Sequence, residues 1–342
     1  MTQHVLCVRL DNAGDVLLAG PAIRAVADSA AAVTVLAGPA GADAARLLPG
    51  VNDVIEWRCP WIDLDQPKVD PGDLALLKVQ LLMRGIDAAL IFTSFHQSAL
   101  PTALVLRTAD VGWVGAISQD YPGALLDLRH RVDEDQPEAE RALSLAEAAG
   151  YRLPDGDDGA LRVRGPLPDV GRLTGDTPYV VLHPGTSAPA RAWPAERYAE
   201  AAKLLQAAGY RVVVTGTANE TALTCTVSVG DAVDLGGRTT FSELAAVLAG
   251  ADAVVVGNTG PAHLAAAVRT PVVSLFAPTV PAVRWAPYGV PAVLLGDQNA
   301  PCRDTRAVSC PVPGHPCLSS VTADEVVDAV ENLNENPERV QI

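Results

Sequence analysis

Three segments of this chain hold polar side chains of types that can do chemistry, and each lies between an apolar run and a helical pattern. The first segment reads Arg9-Leu10-Asp11-Asn12-Ala13-Gly14-Asp15. A carboxylate in the first turn of a helix is stabilised as an anion by the free N–H groups and by the helix dipole. From its position alone, Asp15 is more simply a first-turn acid with a structural role than a group that takes a proton from a substrate.

The second segment spans residues 183–194 and includes Thr186, Ser187 and Arg191. Hydroxyls, a glycine and an arginine in one loop suit a diphosphate, because a guanidinium offers a fixed fork of donors to phosphate oxygens. The alternative is an ordinary loop between a strand and a helix that carries a surface arginine.

The third segment reads Gly257-Asn258-Thr259-Gly260-Pro261-Ala262-His263. Gly260 allows a close backbone approach, and the N-terminus of the following helix presents free N–H groups to an anion. His263, in the first turn of that helix, is as readily a structural hydrogen-bonding residue as a ligand-binding one.

Alternating strands and helices must position these segments. Short apolar runs predict strands over residues 4–10, 32–36, 51–57, 88–92, 111–114, 179–183, 211–215, 232–235, 253–256 and 272–276. Helical spacing predicts helices over residues 14–27, 74–84, 97–107, 138–149, 195–208, 219–227, 242–248 and 262–268. The sequence Thr322-Ala323-Asp324-Glu325 is typical of a capping box and opens a last helix.

A linker rich in Gly, Pro and Asp over residues 151–177 divides the chain into an N-terminal domain, 1–168, and a C-terminal domain, 169–342. Both halves are β-α-β series, so we expect an α/β fold of two Rossmann-like, doubly wound parallel sheets facing across a cleft. Ligands of such sheets bind outside the carboxyl ends of the strands, where the three segments lie. We expect the last helix to pack back on the N-terminal domain.

The composition narrows the class of partner. The 342 residues are 49% hydrophobic and carry a net charge of −15. A general polyanion binder needs basic surface, so we expect no nucleic acid partner. Residues 1–150 hold 11 basic and 20 acidic residues, a net charge of −9. This half is poorly suited to grip a phosphate-rich ligand, although the acidity also serves solubility alone.

The cysteines and the N-terminal residues indicate whether the protein binds a metal and in which cellular compartment it works. Cys302, Cys310 and Cys317 cluster with His315, but their spacing matches no paired Cys-x2-Cys pattern, so we expect no metal site. Residues 1–10 carry no basic segment before their apolar stretch, and no apolar run reaches the roughly 20 residues that span a bilayer. We therefore expect a cytoplasmic protein with reduced cysteines.

Several known signatures are missing from the sequence. No G-x-G-x-x-G pattern follows residues 4–10 or 179–183, and no G-x-x-x-x-G-K-[ST] P-loop occurs, which disfavours a nicotinamide-dependent enzyme and a P-loop ATPase. Two pairs of acids have the spacing of metal-binding carboxylates, Asp63 with Asp65 and Asp155 with Asp157. Both pairs stand in acidic, loop-like stretches and are better explained as solvated surface.

Taken together, the segments resemble glycosyltransferase family 9, the ADP-heptose:lipopolysaccharide heptosyltransferase family. The resemblance covers roughly residues 4–330. It rests on the patterns Val8-Arg9-Leu10-x-x-x-Gly14-Asp15-Val16-Leu17-Leu18-x-x-Pro21-Ala22-Ile23-Arg24, His183-Pro184-Gly185, Trp193-Pro194, Asp234-Leu235-x-Gly237-Arg238-Thr239-Thr240, Leu248-Ala249-Gly250-Ala251-Asp252, Thr259-Gly260-Pro261-x-His263-Leu264-Ala265-Ala266-Ala267 and Thr270-Pro271-Val272-Val273.

The resemblance implies a GT-B fold and an inverting transfer of heptose from a nucleotide-diphosphate donor such as ADP-heptose, without a metal or other cofactor. Asp15 matches the family's proposed general base, which takes the proton from the acceptor hydroxyl. The positions that match the donor-binding segments are Thr186, Ser187, Arg191, Glu220, Asn258, Thr259, Gly260 and His263. Glu220 corresponds to an acid that accepts hydrogen bonds from ribose hydroxyls.

Two departures from the family pattern bear on the substrates. Asn258 stands where the family often has Asp, and Asp11-Asn12 stands where Ser-Ser is common. The additional carboxylate, together with the charge of −9, disfavours a phosphorylated lipid A core, so we expect a neutral or cationic acceptor. The alternatives are an epimerase-type enzyme and a non-catalytic nucleotide-sugar-binding protein. The Asn258 change favours the latter, whereas Asp15 and Arg191 argue against it.

Overall fold

The computed structural model describes residues 3–63, 65–132, 135–175 and 177–335. The chain divides into two compact units, Met1–Arg164 and Gly165–Ile342. Each unit is built around one six-stranded parallel sheet. The predicted α/β class with two doubly wound sheets is therefore confirmed.

The first unit has the strand order β3-β2-β1-β4-β5-β6. Its strands are β1 (His4–Arg9), β2 (Ala32–Ala37), β3 (Asp53–Glu56), β4 (Ala88–Ile91), β5 (Trp113–Ile117) and β6 (Leu128–His130). Its helices are α1 (Ala13–Leu18), α2 (Gly20–Ser29), α3 (Ala42–Leu47), α4 (Pro71–Arg84), α5 (Leu100–Thr108) and α6 (Glu138–Ala148). The order reverses between β1 and β4, so their carboxyl ends form the crevice in which such sheets bind ligands.

The second unit has the strand order β12-β11-β10-β7-β8-β9. Its strands are β7 (Tyr179–His183), β8 (Arg211–Val214), β9 (Val233–Asp234), β10 (Ala253–Gly257), β11 (Val272–Leu275) and β12 (Ala292–Leu295). Its helices are α7 (Gly171–Thr174), α8 (Ala195–Ala207), α9 (Thr221–Val227), α10 (Phe241–Ala249), α11 (Gly260–Ala267), α12 (Ala282–Trp285), α13 (Pro316–Ser319) and α14 (Ala323–Glu335). The order reverses between β7 and β10.

Buried aliphatic strands form the core of each sheet. All residues of β7 and β10 are buried, and only the first residue of β1 and β2 is not. Parallel strands with helices on both faces are continuous apolar runs, which is why the sequence predicts most of them. It missed the edge strands β6 and β12, which are only partly buried and lack that pattern.

The helical prediction over residues 14–27 is confirmed except for its continuity, because the structure breaks the segment into α1 and α2 at Ala19. Pro21 stands in the first turn of α2 and lacks the N–H that a continuous helix would direct to Leu17. The helix predicted to begin at residue 97 begins at Leu100 instead, with Pro101 in its first turn. This correction places Gln97 in the loop after β4.

The first unit ends at Arg164, four residues before the boundary expected at 168. Arg24 on α2 forms an ion pair with Asp157, with 2.8 Å between Nε and Oδ2, and donates to the carbonyl of Ala160. The N–H of Arg164 donates to the carbonyl of Leu47. These bonds attach the first part of the predicted linker, residues 151–164, to the first unit.

The last helix, α14, packs against α8 and against strands β10, β11 and β12 of the second unit. Its buried face, which includes Val326, Val330 and Leu333, belongs to the core of that unit. Packing of this helix on the N-terminal half stays a prediction. No helix in the described ranges is both long enough and apolar enough to span a membrane.

Candidate functional site

The carboxyl ends of β1 and β4 bring a buried arginine to Asp15. Arg9, the last residue of β1, is 3% exposed, and its Nη2 lies 2.8 Å from Asp15 Oδ1. The same Nη2 donates to Ser94 Oγ, in the loop after β4, at 2.9 Å. Among the described residues nothing donates to Asp15 Oδ2, and the side chain is 18% exposed. Asp15 is thus an oriented carboxylate with one oxygen still able to accept a proton.

The second carboxylate of this segment, Asp11, shares the guanidinium of Arg9. Its Oδ2 lies 3.0 Å from Arg9 Nε, and its Oδ1 accepts a hydrogen bond from Gln97 Nε2. The amide of Gln97 is itself fixed, because its Oε1 accepts from the backbone N–H of Ser94 at 3.0 Å. One cation and one amide therefore hold Asp11 in place, and Arg9 lies between two carboxylates.

Burial dominates the electrostatics of this cluster. It raises the pKa of Asp11 to about 6; the attraction of Arg9 opposes the rise, and the repulsion of Asp15 and Glu138 adds to it. Burial lowers the pKa of Arg9, but Asp11, Asp15 and Glu138 raise it by more, so the guanidinium is more basic than usual. Near neutral pH the cluster thus holds a permanent cation, and Asp11 titrates close to the physiological range.

The start of α6 supplies a further buried ion pair on the same side of the sheet. Arg141 Nη1 lies 3.3 Å from Glu138 Oε2 and donates to the carbonyl of Thr93 at 2.6 Å. Glu138 is 2% exposed. The pair anchors the loop after β4, which carries Ser94 and Gln97. No motif in the sequence predicts these residues, and the only signal is the mostly polar stretch 93–97.

Glycines after β2 allow the segment that carries Asp11 to pack closely. A Cβ on Gly38 would lie 2.5 Å from the carbonyl oxygen of Leu10, and one on Gly41 would lie 2.8 Å from that of Asp11. Asn12 is exposed, and no side-chain hydrogen bond joins it to the described residues. The structure therefore brings Asp11 and Asp15 into one network and leaves the side chain of Asn12 outside it.

In the second unit, the loops after β7 and β10 contact each other. Arg191 Nη1 lies 3.4 Å from the carbonyl oxygen of Asn258. A Cβ on Gly257 would lie 3.2 Å from the carbonyl oxygen of Arg191, so the glycine lets the two loops come close. The second and third sequence segments therefore meet where the strand order of this sheet reverses.

Buried polar atoms without partners mark the carboxyl ends of β10 and β11. Asn258 is 5% exposed, and neither its Oδ1 nor its Nδ2 has a hydrogen-bond partner among the described residues. The same is true of Oγ1 of Thr259 and of Oγ1 of the fully buried Thr279, in the loop after β11. Buried polar groups are nearly always paired, so their concentration here indicates a polar ligand that completes them. Thr279 lies outside the three sequence segments, and no motif predicts it.

The remaining residues of these two loops differ in exposure. Ser187 is exposed and Thr186 is half-buried, with its Oγ1 accepting from the N–H of Ala188 at 3.3 Å. Gly260 begins α11, an eight-residue helix whose first turn contains the buried His263. Thr186 and Ser187 thus lie on the open side of the loop, and His263 lies inside.

Glu220 has a local structural role that sequence alone did not suggest. Its Oε2 accepts from Thr217 N at 2.8 Å and from Thr217 Oγ1 at 2.9 Å, which closes a capping box. A Cβ on Gly185 would lie 2.2 Å from Glu220 Oε1, so the carboxylate lies over the bare backbone of the His-Pro-Gly segment. Oε2 thus holds the turn, while Oε1 lies against the backbone of Gly185.

His183, at the end of β7, is a neutral structural residue. Burial lowers its pKa to about 4, against the opposing effect of Glu220. Its Nδ1 lies 2.9 Å from Thr215 Oγ1, and its carbonyl accepts from the hydroxyl of Tyr198 at 3.3 Å. An imidazole that is uncharged at neutral pH joins the ends of β7 and β8 and supplies no positive charge to a ligand.

The C-terminal cysteines lie near one another. Cys302 and Cys317 are buried, and burial raises the pKa of Cys317 to about 11, with Cys302 and Cys310 adding to the rise. His315 Nε2 lies 3.0 Å from the carbonyl oxygen of Ala190. Within the described ranges, no three His, Cys, Asp or Glu side chains are arranged to hold a metal ion.

Comparison with known proteins places these features in a family. The family model described as glycosyltransferase family 9 (heptosyltransferase) matches residues 75–314. Lipopolysaccharide heptosyltransferase 3 of Escherichia coli is 30% identical over 164 residues, which is 45% of this chain and 46% of that protein. The chain thus spans about half the length of that relative.

Two other similarities extend over most of the chain. Lipopolysaccharide heptosyltransferase 1 of Pseudomonas aeruginosa is 34% identical over 339 residues, or 90% of this chain and 87% of that protein. The structure of the E. coli ADP-heptose lps heptosyltransferase II superposes with a TM-score of 0.75 at 20% identity, covering 99% of this chain and 100% of that one. The fold is therefore the GT-B type. The chain belongs to glycosyltransferase family 9, the heptosyltransferase family.

Proposed function

We propose that this protein is an inverting glycosyltransferase that moves heptose, or a related sugar, from ADP-heptose to an acceptor hydroxyl. Asp15 is the general base. The observation that carries the proposal is the state of Asp15, a partly buried carboxylate with Oδ1 held 2.8 Å from Arg9 and Oδ2 without a donor among the described residues. Family membership supports the reaction class.

In this mechanism the proton of the acceptor hydroxyl passes to Asp15 while the hydroxyl oxygen attacks the anomeric carbon and the bond to the diphosphate breaks. General base catalysis of this kind contributes about 10²–10⁴-fold to the rate. Arg9 fixes the direction of the carboxylate. Ser94 accepts a second hydrogen bond from the same Nη2 of Arg9 and helps to hold the guanidinium in place.

The second unit binds the donor. The hydroxyls of Thr186 and Ser187 and the guanidinium of Arg191 suit the diphosphate, where negative charge grows as the bond breaks. The amide of Asn258 and the hydroxyl of Thr259 pair with sugar or phosphate oxygens, and the remaining donor-side positions are Glu220, Gly260 and His263. Neutral and cationic hydrogen-bonding groups stabilise the growing negative charge of the diphosphate in this proposal. The reaction therefore needs no metal and proceeds in excess chelator.

The acceptor is neutral or cationic. Asp11 and Asp15 share one guanidinium, so with both ionised the three groups carry a net charge of −1. A phosphate brought against these groups meets like charge, whereas an ammonium or hydroxyl group hydrogen-bonds to Asp11.

The relatives reported above are lipopolysaccharide heptosyltransferases. We propose that this chain instead prefers a glycoside without phosphate, and that it works in the cytoplasm, where its six free cysteines stay reduced.

A donor screen followed by a transfer assay tests this proposal. The melting temperature is measured with ADP-, GDP-, UDP- and dTDP-sugars, because a ligand that binds only the folded state raises it. We expect ADP-heptose to give the largest shift and to support transfer to a neutral or amino glycoside. Stabilisation by ADP-heptose without transfer to any acceptor would favour a binding protein, and transfer only to phosphorylated lipooligosaccharide would exclude the proposed acceptor class.

A further inference from the structure

One segment of the second unit, residues 302–317, is anchored in the core at both ends. Cys302 and Cys317 are buried in the hydrophobic core of this unit, and their side chains hydrogen-bond to each other. The carbonyl of Cys317 also accepts from the N–H of Asp297 at 3.0 Å. Most of the residues between the two ends are exposed. We call residues 302–317 the C-terminal clasp.

The first half of the clasp holds the loop after β11. The N–H of Asp304 donates to the carbonyl of Pro278 at 2.9 Å, and the N–H of Arg306 donates to the carbonyl of Thr279 at 2.8 Å. Thr279 is the fully buried residue whose Oγ1 has no partner among the described residues. The clasp therefore fixes the backbone of a loop that adjoins the unpaired polar atoms.

The second half of the clasp holds the turn that carries Arg191. The buried Ala190 donates its N–H to the carbonyl of Val308 at 2.9 Å. Nε2 of His315 lies 3.0 Å from the carbonyl oxygen of the same Ala190. Because a carbonyl can only accept, this ring nitrogen carries the hydrogen. The clasp therefore binds both backbone polar groups of the residue that precedes Arg191.

The turn itself is too short to fix the direction of Arg191. It consists of one turn of 3-10 helix, Pro189–Arg191, in which the N–H of Arg191 donates to the carbonyl of Ala188 at 2.8 Å. Such short pieces have poor hydrogen-bond geometry and contribute little stability of their own. The orientation of the turn thus depends on the bonds that Ala190 makes to the clasp.

The backbone of the clasp indicates that the side chain at position 315 has a purpose. Asp304, Arg306 and His315 have φ of 60°, 57° and 51°, and they are three of the five non-glycine residues with positive φ in the described ranges. This conformation favours glycine, and a side chain there costs free energy. Gly314, with φ of 80°, supplies glycine at the preceding position. At His315 the cost is offset by the bond of the imidazole to Ala190.

We propose that His315 is a positioning residue for the nucleotide-sugar donor, because it holds Ala190 so that the guanidinium of Arg191 is directed to the diphosphate. The inference rests on the proposed function, in which Arg191 binds that diphosphate. A guanidinium presents its N–H groups in one rigid plane, so a small rotation of the turn misdirects all of them together.

The variants His315→Gly and His315→Gln test this role in the full chain. Glycine relieves the backbone strain while it removes the hydrogen bond, so the melting temperature of the apo protein should change by no more than about 3 °C. We expect the Kd for ADP, measured by calorimetry, and the KM for ADP-heptose to rise about tenfold. kcat should change less, since Asp15 is untouched. His315→Gln should restore most of the affinity, because its amide Nε2 donates to the same carbonyl.

Arg269→Gly is the matched control. Arg269 also has a positive φ, 68°, and its Nη1 donates to a backbone carbonyl, that of Gly289, at 3.1 Å. It precedes β11, at the end of the strand opposite to the donor loops. At 150 mM salt, where charges beyond about 8 Å are largely screened, this variant should bind ADP like the parent.

A double variant tests whether His315 acts through Arg191. If it does, Arg191→Ala with His315→Gly should bind ADP no more weakly than Arg191→Ala alone, because coupled residues are not additive. Additive losses would overturn the inference, and so would an unchanged Kd in His315→Gly when Arg191→Ala weakens binding. A parent protein that does not bind ADP would instead contradict the proposed function itself, and with it this inference.

Discussion

Arg9 holds two carboxylates with one guanidinium, and this arrangement gives Asp11 and Asp15 different properties. Asp11 is held at both oxygens, by Arg9 and by Gln97, whereas Asp15 is held at one. The sequence segment at residues 9–15 predicts Asp15 and Asp11 as candidate site residues. It could not predict Gln97, which is 86 residues from Asp11 in the chain and meets it only because β1 and β4 are neighbours.

The first prediction concerns Asp11→Asn and stability. Burial raises the pKa of Asp11 from 3.8 to about 6, so between pH 4 and 6 the native state binds this proton more tightly than the unfolded chain. The free energy of unfolding therefore falls as pH rises through that window. We expect the variant to be more stable than the parent by about 1–3 kcal/mol at pH 8, with the gain lost below pH 4.

Urea unfolding at pH 3.5, 6 and 8 measures this difference. Asp328→Asn, at an exposed position on α14, is the control and should follow the pH dependence of the parent. A variant Asp11→Asn that is less stable than the parent at pH 8 would show that the anion of Asp11 stabilises the fold, against this prediction.

The second prediction concerns Asn258→Leu, which replaces an unpaired buried amide by an apolar group of similar size. An unsatisfied buried polar group costs about 1–3 kcal/mol, so the apo protein should become more stable. If the amide pairs with the donor, the melting-temperature shift given by ADP-heptose should shrink at the same time. Opposite signs of the two effects distinguish a binding residue from a structural one.

Ser274→Ala is the matched control for that experiment. Ser274 is fully buried inside β11, and its Oγ also lacks a partner among the described residues. Loss of this hydroxyl should stabilise the apo protein and leave the melting-temperature shift given by ADP-heptose unchanged. A full donor-induced shift in Asn258→Leu would remove Asn258 from the donor site.

At the scale of elements, the loops at the carboxyl ends of β1, β2 and β4 act as one packed layer. Strand patterns predict where these loops stand, because buried parallel strands are apolar throughout. The same patterns do not predict the break at Ala19, which follows from the missing N–H of Pro21, or the edge strands β6 and β12, which are partly exposed. Loop packing depends on glycines whose partners are distant in sequence.

The third prediction concerns Gly38→Ala. The new Cβ would lie 2.5 Å from the carbonyl oxygen of Leu10, a backbone atom, so the segment that carries Asp11 must shift. We expect a loss of about 1–3 kcal/mol in the free energy of unfolding and a fall in kcat. Gly112→Ala is the control, because its Cβ would meet only the carbonyl oxygen of Asp87 at 3.4 Å. Equal effects of the two substitutions on kcat would contradict the argument.

At the scale of the whole molecule, sequence predicts two α/β units because the β-α-β alternation restarts after the linker. The boundary differs by four residues, since the bonds of Arg24 with Asp157 and of Arg164 with Leu47 are tertiary contacts that composition does not encode. The net charge of −15 is a property of the whole chain and acts on any charged substrate.

The fourth prediction uses that charge. Raising NaCl from 50 to 500 mM shortens the Debye length from about 14 to about 4 Å and weakens repulsion between the acidic surface and an anionic acceptor. We expect kcat/KM to rise severalfold for a phosphorylated acceptor, to stay constant for a neutral glycoside and to fall for an amino glycoside. A fall for the phosphorylated acceptor would indicate a basic acceptor site and contradict the proposed preference.

The central claim is that Asp15 removes the proton from the acceptor hydroxyl. The most direct measurement compares Asp15→Asn with the parent in kcat and in the melting-temperature shift given by ADP-heptose. The account predicts that kcat falls by about 10²–10⁴-fold while the donor-induced shift is unchanged, because the amide retains the shape but accepts no proton. A variant that keeps kcat within threefold of the parent would contradict the account.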